Sequence, residues 1–186
     1  MKDKTCRYCK AKFTPKLKTA IVCGENCALG LIDKRQQRDN LKLIAQDRRE
    51  IKTRLRALKT RSQWIKEVQV VFNKFIRLRD VNRACICCGL PLGESKVGGN
   101  YDCGHYRSVG SAPHLRFDER NAHAQRKQCN RYGSGRAVDY RIGLINRIGQ
   151  LSVDLLEADQ TPKHYSIDDL IKLKQFYKAK IKEIMK

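Results

Sequence analysis

Residues 85–89 read CICCG, residues 101–106 read YDCGHY, residues 119–123 read ERNAH and residues 128–130 read QCN. These four pieces decide the fold class of the largest part of the chain. Cys85 and Cys88 followed by a glycine have the usual form of a zinc knuckle. The glycine- and cysteine-rich stretch from Cys85 to Gly135 is typical of strands and irregular turns rather than of a long helix. It therefore forms the candidate site, with helices expected on either side.

The composition excludes several classes of protein. The 186 residues include 40 Lys and Arg against 19 Asp and Glu, a net charge of +21, and only 41% are hydrophobic. So large a positive charge repels itself in the folded state and is neutralised most readily by a polyanionic partner, for which nucleic acid is the leading candidate. No stretch approaches the roughly 18 apolar residues of a spanning helix, and the first ten residues lack the apolar core of a secretory signal. We expect a cytoplasmic protein with no membrane partner.

A small cysteine module opens the chain. Cys6 and Cys9 form a C-x2-C pair, Cys23 and Cys27 form a C-x3-C pair, and thirteen residues separate the two pairs. Two knuckles at this spacing can bring four thiolates around one tetrahedral Zn²⁺. Because so short a segment cannot bury a core of its own, zinc would supply its folding energy. We predict a zinc finger over residues 1–30.

A basic helix is predicted next, over residues 31–61. No Pro or Gly interrupts the sequence after Gly30, and Lys34 to Arg61 contain eleven Lys and Arg against three Asp and Glu. One seam of apolar residues follows alternating three- and four-residue steps, with Arg48 inside it. Two interpretations are open: a solvated helix whose seam leans on its own domain, or a helix that pairs with a second copy in a homodimer. The seam consists of Leu41, Ile44, Ile51, Leu55 and Leu58.

Residues 62–186 are predicted to form the main domain. Apolar residues recur at helical spacing after Ser62, which can cap that helix. Two short helices with a break near Gly149 follow the cysteine-rich segment, and an amphipathic helix capped by Ser166 and Asp169 ends the chain. The predicted fold is therefore α+β and mostly helical.

The order of knuckle, His, Asn, cysteine and Asn resembles an HNH-type nuclease core, also called a ββα-metal core. Further pieces match in order across almost the whole chain: WIK at 64–66, CxxCG at 85–89, DCGHYR at 102–107, APHLRF at 112–117, ERN at 119–121 and YRIGLI at 140–145. Together they resemble the NinG/Rap recombination nucleases of lambdoid phages. The resemblance implies structure-specific cutting of branched DNA, such as D-loops and Holliday junctions, in homologous recombination.

The resemblance also implies roles for individual residues. His105 is the expected general base, because a neutral imidazole can take a proton from water near pH 7. Asn121 is expected to orient His105 or to touch a catalytic Mg²⁺ or Mn²⁺, and Asn130 takes the terminal position of the motif. Asp102 and His105 have opposite parity in a regular strand, so Asp102 joins the site only if Gly104 forms a bulge. Without the bulge, Asp102 is structural.

The second zinc site departs from the family pattern. Relatives carry a complete second knuckle, whereas here Arg126 stands in the place of its first cysteine. A guanidinium cannot ligate zinc, so three ligands remain: Cys85, Cys88 and Cys129. Cys103, Cys87 or His123 could supply a fourth, and water or the absence of zinc are open alternatives.

Arginines around the motif suit contacts with phosphate groups, although Arg116 or Arg120 could instead pair with a nearby acid. The expected DNA-binding residues are Arg107, Arg116, Arg120, Arg131 and Arg136. We therefore expect a metal-dependent DNA endonuclease. The alternative is a non-catalytic factor that binds branched DNA. A transcription regulator fits less well, since no recognition-helix pattern is evident.

Overall fold

Two short strands and one long helix form the first unit of the computed structural model, which describes residues 2–93 and 99–186. The chain separates into the units Met1–Lys59 and Thr60–Lys186. Strands β1 (Lys4–Thr5) and β2 (Lys12–Phe13) pair antiparallel, and helix α1 follows at Glu25–Ala57. Gly30 allows Tyr8 to pack against α1, because a Cβ at Gly30 would lie 2.4 Å from the Tyr8 ring.

Helix α1 is continuous over 33 residues and buries none of them. The seam from Leu41 to Leu58 is fully formed on one face, but its side chains are 48% to 76% exposed. These side chains therefore do not pack against a core of the first unit. One of the two interpretations open from the sequence required such packing. Its pairing with a second copy stays a prediction.

Helices α2 (Arg61–Arg79) and α5 (Ile167–Ile184) form the main core of the second unit. Thr60, and not Ser62 as expected, caps α2 in a reciprocal capping box with Gln63. The predicted cap of α5 by Ser166 and Asp169 is confirmed. Between the two helices lies a cluster of aromatic and aliphatic side chains, which includes Trp64, Val68, Phe72, Phe75, Ile76, Leu170, Tyr177 and Ile181.

A two-stranded antiparallel hairpin carries the candidate site. Strand β3 (Tyr101–His105) pairs with β4 (Ala122–Arg126) in a continuous register from Tyr101 opposite Arg126 to His105 opposite Ala122. The long connection contains a 3₁₀ turn at Pro113–Leu115, and β4 runs into a π-helical turn at Gln128–Tyr132. No bulge interrupts β3, so Asp102 and His105 lie on opposite faces of the hairpin.

Helices α3 (Ala137–Ile148) and α4 (Gln150–Ala158) complete the second unit, and the predicted break between them is confirmed at Gly149, where φ is +84°. Gly143 lets α3 approach the cysteine knuckle, because a Cβ there would collide with the carbonyl of Ile86 at 1.7 Å. The predicted α+β, mostly helical architecture is confirmed. Within residues 2–93 and 99–186, no helix is both long enough and apolar enough to cross a membrane.

Candidate functional site

The four N-terminal cysteines meet at one point, as predicted. The Sγ atoms of Cys6, Cys9, Cys23 and Cys27 all lie within 4.8 Å of one another, and the cysteines are free thiols. Cys23 Sγ is 3.6 Å from Cys9 Sγ and 3.4 Å from Cys27 Sγ. Four sulfurs around a tetrahedral Zn²⁺ at about 2.3 Å lie roughly 3.8 Å apart. The donor set therefore fits a zinc ion.

The electrostatics of this cluster also suit a metal. Burial alone would raise the pKa of Cys6, but backbone N–H groups of Cys9, Cys23 and Tyr8 donate to its sulfur and lower the pKa to about 6. By contrast, hydrogen bonding with Cys23 and burial raise the pKa of Cys27 to about 12. A bound Zn²⁺ would favour the thiolate form of all four cysteines.

A second group of three thiols lies in the other unit. The Sγ atoms of Cys85, Cys88 and Cys129 all fall within 4.8 Å of one another. A tight turn forms the knuckle: Gly89 N–H donates to the Cys85 carbonyl at 3.1 Å, and φ of Gly89 is +66°. A hydrogen bond from the Cys87 thiol, with further ones from the backbone of Cys88 and Arg126, lowers the pKa of Cys85 to about 4 against the effect of burial.

Among residues 2–93 and 99–186, no further His, Cys, Asp or Glu joins the three-thiol group. The Cys87 thiol is close to Cys85, but it accepts a hydrogen bond from Gln125 Nε2 at 2.7 Å and lies 3.7 Å from the Gly135 carbonyl. Cys103, also considered as a fourth ligand, packs against the aromatic core instead. At the position of the missing cysteine, the Arg126 backbone N–H donates to Cys85 Sγ at 3.3 Å. The residues fit an incomplete, three-thiolate zinc site.

His123, the other candidate fourth ligand, belongs to a buried ionic network. Its Nδ1 lies 3.6 Å from Asp80 Oδ2 and 2.9 Å from Arg79 Nη2. Burial lowers the pKa of His123, and the interaction with Asp80 offsets only part of that effect. His123 is therefore neutral at pH 7 and helps to hold α2 against β4, away from the thiols.

Asp80 is the important buried residue that the sequence interpretation missed. It is fully buried at the end of α2, where its carboxylate pairs with Arg79 at 2.8 Å and accepts the Ala124 backbone N–H at 2.9 Å. Arg147 on α3 lies 3.6 Å away. Asp80 thus ties α2, β4 and α3 together. No local pattern in the sequence distinguishes it from the other acids, because its partners come from distant segments.

His105 lies at the end of β3 with a defined tautomer. Its Nε2 is 3.0 Å from the Arg116 carbonyl oxygen, and its ring centroid is 6.0 Å from that of Phe72. Since a carbonyl can only accept, Nε2 carries the proton and Nδ1 of the neutral ring has the lone pair. Burial lowers the pKa of His105, so the imidazole is neutral at pH 7. This is the state that a general base requires.

Asn121 is fully buried, and the side-chain hydrogen bonds that the structure describes for it do not include His105. Its fully buried Oδ1 accepts the Arg107 backbone N–H at 2.8 Å, and its Nδ2 donates to the carbonyls of Arg107 at 3.0 Å and Leu115 at 3.2 Å. These three bonds fix both ends of the loop that follows His105. Asn121 is therefore linked to His105 through the backbone of this loop.

Asp102 is linked to Asn130 and Arg131 on the π-helical turn. Asn130 Nδ2 donates to Asp102 Oδ2 at 3.3 Å, and Arg131 forms a bidentate pair with the same carboxylate at 2.7 Å and 3.1 Å. Burial would raise the pKa of Asp102, but the hydrogen bonds from Arg131 and Asn130 lower it. Because β3 has no bulge, Asp102 faces away from His105, and the structural alternative for this residue applies.

His105 and Asn130 line the same cleft, which has a volume of about 660 Å³. Tyr106, Arg107 and Ser108 form part of the same wall, and Tyr140 lies at its base. Asn121 and Asp102 are behind this surface, where each binds a residue that forms it. Of the four predicted residues, the structure therefore brings only His105 and Asn130 to the cleft, while Asn121 is buried behind it and Asp102 lies on the other face of β3.

The five arginines expected to bind DNA all have partners within the protein. Arg107 donates to carbonyls at the end of α4, the nearest being that of Asp159 at 2.8 Å. Arg116 bonds to Gln69, and Arg136 to Asp139. Arg120 pairs with Asp118, one of the alternatives open from the sequence, and Arg131 pairs with Asp102. Arg107 is thus mainly structural, whereas Arg131 remains 59% exposed.

Comparison with known proteins places the chain among phage proteins. The family model described as "Bacteriophage Lambda NinG protein" matches residues 1–186. "Protein ninG" of Escherichia phage 933W is 36% identical over 190 residues, which cover 96% of this chain and 92% of that protein. "Protein ninG" of Escherichia phage lambda is 42% identical over 135 residues, covering 73% of this chain and 64% of that protein. No solved structure matches the chain.

Proposed function

The chain belongs to the family of bacteriophage lambda NinG proteins, and from this membership we propose that it is a metal-dependent endonuclease that cuts branched DNA in phage recombination. It acts in the cytoplasm of the host cell. One observation carries the proposal: a neutral histidine of fixed tautomer and a polar asparagine line one open cleft of a strongly basic protein. The hairpin and π-helical turn that hold them form the HNH-like core.

His105 is the proposed general base of phosphodiester hydrolysis. With Nε2 bound to the Arg116 carbonyl, Nδ1 takes the proton from the attacking water. Asn121 is a positioning residue, because its hydrogen bonds to Arg107 and Leu115 hold the loop that continues from His105. The base therefore needs no large rearrangement to accept a proton.

Asn130, on the wall of the cleft, would offer its amide oxygen to the hard cation, Mg²⁺ or Mn²⁺. Its Nδ2 donates to Asp102 at 3.3 Å, so Asp102 would orient Asn130 and would not bind the cation itself. When bound, the cation would stabilise negative charge on the phosphate and the leaving oxygen. The remaining chemistry belongs to His105 and to the residues that orient it.

Zn²⁺ has a separate, structural role in this proposal. One zinc would be held by the four-thiol group of the first unit, and a second, with one thiol fewer, by Cys85, Cys88 and Cys129. The second joins the knuckle to the π-helical turn that carries Asn130, so it would maintain the shape of the cleft. Neither group offers the oxygen ligands expected around a catalytic Mg²⁺.

DNA is the proposed partner, and long-range attraction supplies most of the affinity. The net charge is +21, and α1 exposes most of its Lys and Arg side chains to solvent. Each neutralised phosphate contributes a slope of about −0.9 in log affinity against log salt. Since phosphate contacts carry no base identity, selectivity for branched DNA would come from the spacing of the basic surfaces.

A second copy of the chain is also a proposed partner. The apolar seam is exposed along its whole length, from Leu41 in α1 to Leu58 at the C-cap of that helix. Three- and four-residue steps are the spacing of a two-stranded coiled coil. A homodimer would bury the same seam of both copies.

Cleavage of matched branched and linear DNA tests the function. The wild-type chain is expected to cut branched DNA with Mg²⁺ or Mn²⁺, and His105→Ala should lose about 10²–10⁴-fold in rate while binding the same junction. His114→Ala, in which the altered histidine bonds to the Asp159 carbonyl, is the matched control. Equal cutting by wild type and His105→Ala would refute the catalytic role. Junction binding without any cutting would favour the alternative, a non-catalytic binding factor.

A further inference from the structure

A second cavity, of about 520 Å³, lies between the cysteine knuckle and the C-terminal half of α3. Within the described part of the chain, it shares no lining residue with the cleft that holds His105. Helix α3 nevertheless borders both, since Ala137 lines the cleft and Asn146 lines this second space, the knuckle cavity. The nine residues from Ala137 to Asn146 rise about 14 Å in an α-helix. The two cavities therefore follow one another along a single rigid element.

The knuckle cavity is positively charged. Arg83 and Arg147 are the charged side chains of its wall, and the described residues of that wall include no Asp or Glu. Cys85 also lines the cavity, but with zinc bound its thiolate charge would be shared with the metal. The C-terminal end of α3 adds about half a negative charge, which the two guanidinium groups outweigh. The cavity therefore suits an anion.

The acid that these arginines share is already occupied by a third. Asp80 is fully buried, and Arg79 binds both of its carboxylate oxygens, at 2.8 Å and 2.9 Å. Arg147 is left at 3.6 Å and Arg83 at 4.0 Å from the same carboxylate. His123, the other neighbour, is neutral at pH 7 because burial lowers its pKa. Three guanidinium groups thus surround one carboxylate, an excess of two positive charges.

Arg147 is the arginine that this excess leaves least satisfied. Its Nη2 donates to the Ala84 carbonyl at 2.9 Å, whereas its buried Nη1 has no hydrogen-bond partner among the residues that the structure describes. Burial lowers the pKa of Arg147 against the effect of Asp80, and the positive charge of Arg83 lowers it further. A partly buried charge that is incompletely compensated costs free energy. An anion in the knuckle cavity would offset this cost.

We propose that the knuckle cavity binds one phosphate of the DNA backbone, with Arg83 as its direct contact, Arg147 as a fixed second charge and the exposed Asn146 as a hydrogen-bond donor. Arg83 is 53% exposed and only loosely paired with Asp80, and a phosphate offers its guanidinium a bidentate acceptor.

This inference rests on DNA as the proposed partner and adds a register to its binding. One strand of B-DNA carries a phosphate about every 3.4 Å along the helix axis. A spacing of about 14 Å along α3 therefore places this phosphate about four nucleotides from the one in the cleft. The contact would fix where the strand lies relative to His105.

The salt dependence of binding to a branched DNA tests the site without relying on cleavage. The full-length, zinc-loaded chain is used, in a His105→Ala background that keeps the DNA intact. Arg83→Gln should weaken binding by about tenfold at low salt and should make the slope of log affinity against log salt shallower by about one.

Arg120→Gln is the matched control for the loss of charge. Arg120 is 49% exposed, close to the exposure of Arg83, but its guanidinium is already held by both oxygens of Asp118, at 2.7 Å and 3.1 Å. Arg120 lies outside the knuckle cavity. The slope for Arg120→Gln should therefore match that of the parent.

A series of the same DNA, each member with one phosphate replaced by an uncharged methylphosphonate, locates the contact. One replacement should weaken binding to the parent and to Arg120→Gln, and should have no further effect on Arg83→Gln. Asn146→Asp places an acid in the cavity and leaves the ion pairs of Asp80 intact, so it should also weaken binding to the unmodified DNA. Circular-dichroism melts of the variants exclude unfolding as the cause.

An unchanged salt slope in Arg83→Gln would overturn the inference, as would a series in which no replacement distinguishes Arg83→Gln from the parent. Cutting by the chain with His105 would then still support the nuclease proposal. If the contact is found but the chain with His105 cuts no DNA, the phosphate site stands and the nuclease proposal fails.

Discussion

The Nε2 atom of His105 lies 3.0 Å from the carbonyl oxygen of Arg116, eleven residues further along the chain. The bond spans the loop between β3 and β4, and Asn121 holds the same loop from the other side through Arg107 and Leu115. The histidine is therefore anchored at its ring and at the backbone that follows it. Its orientation depends on this loop as much as on the strand that carries it.

Stability should fall as the solution becomes acidic, because burial lowers the pKa of both His105 and His123. The unfolded chain binds protons at these positions below about pH 6.5, where the folded chain does not. The free energy of unfolding should therefore decrease as pH falls from 6.5, by up to about 1.4 kcal/mol per pH unit for each histidine. Urea denaturation followed by the fluorescence of the single, buried Trp64 measures it.

His105→Gln isolates the contribution of one histidine to this pH dependence. The free energy of unfolding of the variant should decrease less steeply below pH 6.5 than that of the wild type. Loss of zinc at low pH affects both proteins alike, so it cancels in the comparison. The same slope in the two proteins would mean that His105 does not titrate between the folded and unfolded states as its burial requires.

Removal of one N-terminal thiol should remove one zinc ion. In Cys9→Ala the first group keeps three of its four sulfurs, and we expect zinc content to fall by about one equivalent with unfolding of the small β1–β2 module. Elemental analysis gives the stoichiometry, and circular dichroism reports the folded content. Cys103→Ala changes a thiol outside both groups and should leave the zinc content unchanged.

Restoring the missing cysteine should strengthen the second zinc site. The Arg126 backbone N–H already contacts Cys85 Sγ, so Arg126→Cys would place a fourth thiol beside Cys85, Cys88 and Cys129. We expect tighter zinc retention against a chelator and a higher cutting rate, because a closed site would fix the π-helical turn. Lys127→Cys, one residue further on, is the positional control. Zinc retention that matches the wild type would show that position 126 does not reach the metal.

Asn121→Ala should destabilise the second unit by about 3 kcal/mol, because it leaves the Arg107 N–H and two carbonyls without their buried partner. Cutting should fall as well, through displacement of the loop after His105. Asn73→Ala, which removes one hydrogen bond with Gln69 on α2, should cost much less. Urea denaturation of the two variants compares them directly, and an equal cost would contradict the role assigned to Asn121.

Charges placed on the α1 seam should prevent self-association. Ile44→Glu and Ile51→Glu alter two exposed seam residues, whereas Leu43→Glu alters an equally exposed residue on another face. In sedimentation velocity, the wild type and Leu43→Glu should be dimers at micromolar concentration, and the two seam variants should be monomers. A monomeric wild type would remove the homodimer from the proposal.

Local patterns in the sequence predicted the elements that depend on neighbours in the chain. The spacing of the cysteines predicted the thiol groups, and Ser166 with Asp169 predicted the cap of α5. Gly149 between two short helical segments predicted the break. The contacts made across the fold were not predictable in this way. Arg107 was expected to face DNA, yet it donates to the Asp159 carbonyl at the end of α4.

The role of Asp102 shows the same limit of local patterns. Its partner Arg131 lies on a π-helical turn, and no periodicity in the sequence indicates that turn. Likewise, the fully buried Asp80 takes distant partners from two separate elements, β4 and α3. Such pairs form only when the helices pack against the hairpin. No local pattern in the sequence therefore predicts them.

Helix α1 has consequences for the thermodynamics of binding. With no buried residue, its amide protons are protected only by the helical hydrogen bonds themselves, and these open locally without unfolding of the second unit. Its amides should therefore exchange with deuterium much faster than those of α2 and α5. A DNA backbone or a second copy that covers α1 should slow this exchange. The free energy of binding then includes the entropic cost of holding 33 residues in one conformation. Formation of the complex is thus coupled to a decrease in the local opening of α1.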